Sequence, residues 1–122
     1  MELAALIQVL CLTFSSMTPP DFYISKYRKK LACNSSKQII QESKKVGLEP
    51  TLIVALIFVE SNWKQTAVSY ADACGLTQVL PKYTGKITKK YTCKQLLIPK
   101  NSIHVGIKTL KFWIDYHKGN IG

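Results

Sequence analysis

From Thr51 to Val59 the chain reads TLIVALIFV, and Glu60 follows directly. A run with no polar side cannot lie on a surface, and a helix that is hydrophobic all round belongs inside a core. Pro50 stands just before it, where the missing N–H of proline suits the first turn of a helix. The β-branched residues in the run offer a buried strand as the rival reading. Against it, the run is long for a strand and opens with Pro. The expected fold is therefore mainly α, a single helical domain around one central buried helix. A chain of 122 residues has room for one such core.

Other elements follow from local signals. Asn34 or Ser35 is expected to cap a helix over 37–46, which Gly47 ends. Residues 62–74 read as loop, 75–82 as a short helical turn closed near Pro81, and 83–100 as irregular. The last helix is expected over 101–117, because Ile103, Ile107, Leu110 and Ile114 share one helical face that Val105 and Trp113 widen. Gly119 would stop it.

Residues 1–20 read as a separate apolar segment before a domain over 21–122. The apolar run 3–14 is shorter than the roughly 20 residues of a membrane span. Its length suits a signal peptide, yet no Lys or Arg precedes it. Signal, membrane anchor and packed helix all stay open. The net charge of +10 draws the chain to polyanions such as nucleic acid, anionic membrane or cell-wall polymer. Of its 17 basic residues 16 are Lys, whereas Arg is the usual reader of bases and phosphates, so nucleic acid is the weakest of these partners. The four cysteines form no C-x-x-C pair, and His104 and His117 are not spaced with them as zinc ligands, so no metal site is expected. Either one disulfide among Cys33, Cys74 and Cys93 or free thiols fit the sequence.

Glu60 carries the chemistry. A charge left unpaired beside an apolar helix costs on the order of several kcal/mol, so burial would favour the protonated carboxyl. Such a group can donate its proton to the leaving oxygen of a glycoside. A solvated Glu at a helix end is the plain alternative.

From Glu60 to Pro81 the chain reads ESNWKQTAVSYADACGLTQVLP. This resembles the soluble lytic transglycosylase family, whose pattern is Glu-Ser, an aromatic, Ala-x-Ser, then Ala-x-Gly-Leu-Met-Gln and a Pro shortly after. Glu60, Ser61, Trp63, Ala67, Ser69, Ala73, Gly75, Leu76, Gln78 and Pro81 match it without a gap. Leu97, Pro99, Asn101, Ile103, Gly106 and Leu110 are similar to the family's segment entering its next core helix. The likeness covers about 48–122.

The resemblance implies a lysozyme-like helical domain acting on peptidoglycan, with Glu60 as sole catalytic carboxylate and no metal or organic cofactor. Glu60 would protonate the oxygen joining N-acetylmuramic acid to N-acetylglucosamine, then take the proton of the muramyl C6 hydroxyl as it closes on C1. Ser61 would orient Glu60 or bind sugar, Gln78 would bind an N-acetyl or hydroxyl group, and Gly75 would let backbone approach the ligand. Tyr70 and Tyr83 could stack on sugars, while Trp63 reads first as core. A phage-encoded or virion-associated member, working with phage-particle or secretion-apparatus proteins, fits a chain this small and Lys-rich.

Three departures stand out. Thr77 replaces the family's Met, and Asp72 sits where Gly is typical. The sequence also ends at Gly122, where an Ala-Tyr-Asn-Ala-Gly box is expected to follow. Two rivals follow. A lysozyme-like hydrolase needs a second carboxylate, for which Asp72 is the candidate. A non-catalytic wall-binding or structural module would keep the fold without the chemistry.

Overall fold

The computed structural model describes residues 26–118. The 1–20 segment, the helix stop at Gly119 and the chain end lie outside the described residues. Among the described residues there are five α-helices: α1 Lys26–Lys45, α2 Pro50–Ser61, α3 Thr84–Ile87, α4 Cys93–Leu96 and α5 Pro99–His117. A 3₁₀ turn, Pro81–Tyr83, leads into α3. The described residues hold only isolated bridges, Val68 to Cys74 and Cys74 to Val79, so the mainly α expectation holds.

Helix α1 does not begin at a cap near Asn34. Ser35 and Ser36 lie buried inside it, and Ser36 Oγ donates back to the Ala32 carbonyl at 3.0 Å. Ser43 Oγ likewise donates to the Ile39 carbonyl. The polar signal that suggests a start is answered by the preceding turn, which lets serine sit on a buried helical face. The end is as expected. Gly47 takes φ +74°, with Leu48 N–H bonded to Ser43 O at 2.9 Å and Gly47 N–H to Lys44 O at 3.1 Å. That pair of bonds closes the orphan carbonyls of the last turn.

Helix α1 packs against both α2 and α5. Ile39, Ile40, Ile53, Val54, Ile57, Ile103 and Ile107 form the main core, together with Trp63 and Leu76. Pro50 opens α2 as expected, and α5 starts at Pro99, two residues before the expected start. Ile103, Val105 and Ile107 are buried, but the same helix runs on past the core, leaving Trp113 and Ile114 exposed.

The 75–100 stretch is better ordered than its sequence suggests. Helix α4 begins with a reciprocal cap: Thr92 Oγ1 accepts from Gln95 N–H, and Gln95 Oε1 accepts from Thr92 N–H. This T-x-x-Q signature was legible as a helix start. Cys74 joins Cys93 in a disulfide, and both belong to a smaller core with Val79, Tyr91, Leu96 and Val105. Cys33 is disulfide-bonded too, so the free-thiol alternative is not found.

The Cys74–Cys93 bridge spans a sequence separation of 19. Closing a loop of that size restricts the unfolded chain and stabilises the fold by about 3 kcal/mol. Replacing both cysteines by alanine is expected to lower the melting temperature by about 12–24 °C. A calorimetric melt checks this, and an unchanged midpoint would show that the bridge adds nothing.

Candidate active site

Glu60 is the penultimate residue of α2, and its side chain is exposed rather than buried. The expected desolvation by the helix's apolar sequence fails for a geometric reason. Ile53, Val54 and Ile57 of α2 are buried, but Glu60, about one turn beyond Ile57 at the end of the helix, lies where the core gives way to an open cleft, and Val59 points away from the core. Beyond Ser61 the chain reverses through two successive left-handed residues, Asn62 at φ +52° and Trp63 at φ +60°. The reversal sends the Trp63 ring into the core with no exposure, which agrees with its reading as a packing residue.

The loop that follows is tied back to α2. Ser61 Oγ lies 2.7 Å from the Leu76 carbonyl and 3.1 Å from the Ile57 carbonyl, with one hydrogen to give. Ser61 thus acts as a strut between helix and loop rather than as a partner of Glu60. Gly75 N–H reaches Ala67 O at 2.8 Å, and Gln78 N–H reaches Gly75 O at 3.1 Å, making a tight turn.

Gln78 lies at the cleft, with its amide fixed by the protein. Its Nε2 donates to Ala67 O at 3.0 Å and to Gly75 O at 2.9 Å. Two carbonyl partners determine which way the amide points. Oε1 is the end left to accept from a ligand hydroxyl or amide.

Gly75 and Tyr70 do not join this site. Gly75 is buried at φ +81°, and a Cβ there would lie 2.1 Å from the Leu96 carbonyl oxygen. Its small size serves the packing of the loop against α4, not a ligand. Tyr70 is fully exposed on the outer loop and does not line the cleft.

Two of the three departures from the family pattern have local reasons. Asp72 holds φ +69°, a conformation glycine takes freely and Asp tolerates. Thr77 is buried, with Oγ1 donating to Ser102 O at 2.8 Å and its N–H reaching Ser102 Oγ at 3.1 Å. Gly106 makes room for it, since a Cβ at that position would meet the Thr77 side chain at 2.4 Å.

Glu60 lines a cleft of about 790 Å³. Leu56 and Glu60 of α2 form one side, and Thr77, Gln78, Val79 and Leu80 follow from the loop. Tyr83, Lys86 and Ile87 come from the 3₁₀ turn and α3, and α5 supplies Gly106, Thr109, Leu110, Phe112, Trp113 and Tyr116. The aromatics interlock, with Trp113 edge-on to Tyr116 at 5.6 Å between centroids. Lys86 and this aromatic edge escape the sequence reading. Their available signal is the 109, 112, 113, 116 stripe on α5, offset from the buried isoleucine stripe.

Among the described residues Glu60 is the one carboxylate lining the cleft. Asp72 is exposed in the 69–73 turn and is not part of the lining. Asp115 pairs with Lys111 at 3.1 Å on α5. Glu42 contacts His104 in a separate concavity between α1 and the start of α5. An acid in a largely apolar and aromatic cleft, with Lys86 as the one cation of its lining and the Gln78 amide held in place, suits proton transfer to an uncharged polymer backbone.

Comparison with known proteins points to a family. The family model described as "Transglycosylase SLT domain" matches residues 37–121. Membrane-bound lytic murein transglycosylase C of Cronobacter sakazakii is 46% identical over 88 residues, covering 66% of this chain and 24% of that protein. Its namesake in Mannheimia succiniciproducens is 33% identical over 81 residues, 61% of this chain and 22% of the relative. That of Actinobacillus pleuropneumoniae serotype 5b is 48% identical over 44 residues, 36% of this chain and 12% of the relative. The chain thus spans a quarter or less of the length of these relatives. With the matched residues covering well over half of its length, the chain belongs to the transglycosylase SLT domain family.

Proposed function

We propose that this domain is a peptidoglycan lytic transglycosylase in which Glu60 is the catalytic acid and then base. The glycan lies in the cleft, with the bond between N-acetylmuramic acid and N-acetylglucosamine at Glu60. The carboxyl proton passes to the glycosidic oxygen as the C1–O bond breaks. The resulting carboxylate then takes the proton of the muramyl C6 hydroxyl as its oxygen bonds to C1. Atoms balance without water: one chain end carries a 1,6-anhydro ring, the other a free hydroxyl, and Glu60 regains its proton.

The observation carrying this reading is that Glu60 is the sole carboxylate lining the cleft among the described residues. Inverting hydrolysis requires a second carboxylate to activate water. Asp72 does not supply it from the outer turn. Exposure of Glu60 in the free domain is compatible with the proposal, because a glycan filling the cleft expels water from around the carboxyl. Gln78 Oε1 would hold an N-acetyl N–H or hydroxyl, and Ser61 would keep the loop in register with α2.

The names of the relatives, lytic murein transglycosylases, support the same substrate. Action would take place in the cell envelope, where that polymer is. A phage particle or secretion apparatus that opens the wall locally would be a fitting carrier. No helix of the described residues is long and apolar enough to cross a membrane. Incubation with dye-labelled peptidoglycan tests the proposal: Glu60-dependent release of soluble dye is expected, and none from the wild type would contradict it.

A further inference from the structure

The cleft is apolar and aromatic apart from a few groups, and Lys86 is the sole cation among its lining residues. Lys86 forms no salt bridge among the described residues. Its ammonium stands 5.7 Å from the centroid of the Tyr83 ring, and that of Lys82 stands 5.1 Å from the same centroid. Both ammonium groups are drawn to the ring's electron-rich face. Two like charges one helical turn apart also repel each other. An anion arriving between them would relieve that repulsion.

The wall bearing these groups is firmly held. Thr84 is buried, its Oγ1 donating to Pro81 O at 2.8 Å and accepting from Tyr91 N–H at 2.8 Å. The segment also lies within the loop closed by the Cys74–Cys93 disulfide. The backbone bearing Lys82, Tyr83 and Lys86 is therefore held in place, with Tyr83 and Lys86 lining the cleft and Lys82 exposed just outside that lining at the same ring.

We infer that Lys82 and Lys86, set around Tyr83, recognise the carboxylates of the stem peptide borne by the muramyl sugar, and so select peptide-bearing glycan. This rests on the glycan-cleaving reading above. The polymer's sugar backbone gives Lys86 no counter-charge, whereas each stem peptide carries free carboxylates beside the bond that Glu60 would cut. Charge pairing in this exposed setting gives selectivity rather than tight binding.

Uncross-linked glycan strands with intact stem peptides, and the same strands with their carboxylates converted to amides, separate charge from size. The wild type is expected to cleave native strands with a kcat/KM about three- to tenfold above that for amidated strands, a preference that fades with salt. In Lys82→Gln/Lys86→Gln the native-to-amidated ratio should fall towards one, mainly through KM, and Lys82→Arg/Lys86→Arg should restore it. A ratio unchanged in the Gln variant would overturn the inference. Binding of both strand types to Glu60→Gln protein, with and without the two Lys→Gln changes, gives a reading independent of cleavage. If the wild type cleaves neither substrate, the proposed reaction fails, and the binding ratio still decides the anion site: loss of a native preference on Lys→Gln supports it, and no preference overturns it.

Discussion

Glu60→Gln is expected to remove cleavage of peptidoglycan, with a fall in turnover of about 10²–10⁴-fold. The amide keeps the shape of the side chain but can neither give the first proton nor accept the second. The upper end of that range is expected because no other described carboxylate lines the cleft to take over either step. Stability should hardly change, since Glu60 is exposed and joins neither core cluster. The variant should therefore melt with the wild type and still bind glycan strands. Initial rates of soluble-product release, with a melt on the same sample, check both halves. Activity within a few-fold of wild type would move the chemistry to another residue.

Gly75→Ala is expected to destabilise the fold on the scale of losing the Cys74–Cys93 disulfide. The new methyl would sit 2.1 Å from the Leu96 carbonyl oxygen and 2.9 Å from Ser102 Oγ. The first of these is backbone and cannot swing aside. The residue also holds φ +81°, which costs an alanine about 1–2 kcal/mol by itself. With about 1–3 kcal/mol more for overpacking, the total is about 2–5 kcal/mol, a large part of the stability of a small domain. Loop and α4 would have to part, and Gln78, three residues on, would lose its fixed place. A fall in melting temperature of about 10 °C or more is expected, accompanied by loss of activity. A variant melting within about 2 °C of wild type would show that the turn relaxes freely.

The legible parts of the fold were those set by local pattern. Pro50 and the apolar run give α2, Gly47 ends α1, and the isoleucine spacing gives α5. The start of α1 was obscured because Asn34 and Ser35 look like caps, and only contact with the rest of the core makes a buried serine helical. At the site, Glu60 and Gln78 both line the cleft, because the loop across 60–81 folds back on the end of α2. The motif suggests that Ser61 orients Glu60 or binds sugar and that Gly75 lets backbone approach a ligand, yet each answers to a partner far along the chain, Leu76 and Leu96. The Thr77–Ser102–Gly106 contact is equally long-range, and no local pattern shows it. The chemistry of Tyr70 suggests stacking on a sugar, but its loop carries it away from the cleft.

Product mass tests the central claim most directly. Mass spectrometry of soluble muropeptides released from purified peptidoglycan distinguishes ring closure by the C6 hydroxyl from attack by water, since the anhydro product is lighter by one water. The lyase mechanism predicts anhydromuropeptides from the wild type and none from Glu60→Gln. Muropeptides with reducing ends would contradict it and would require a water-activating group that the described cleft does not supply.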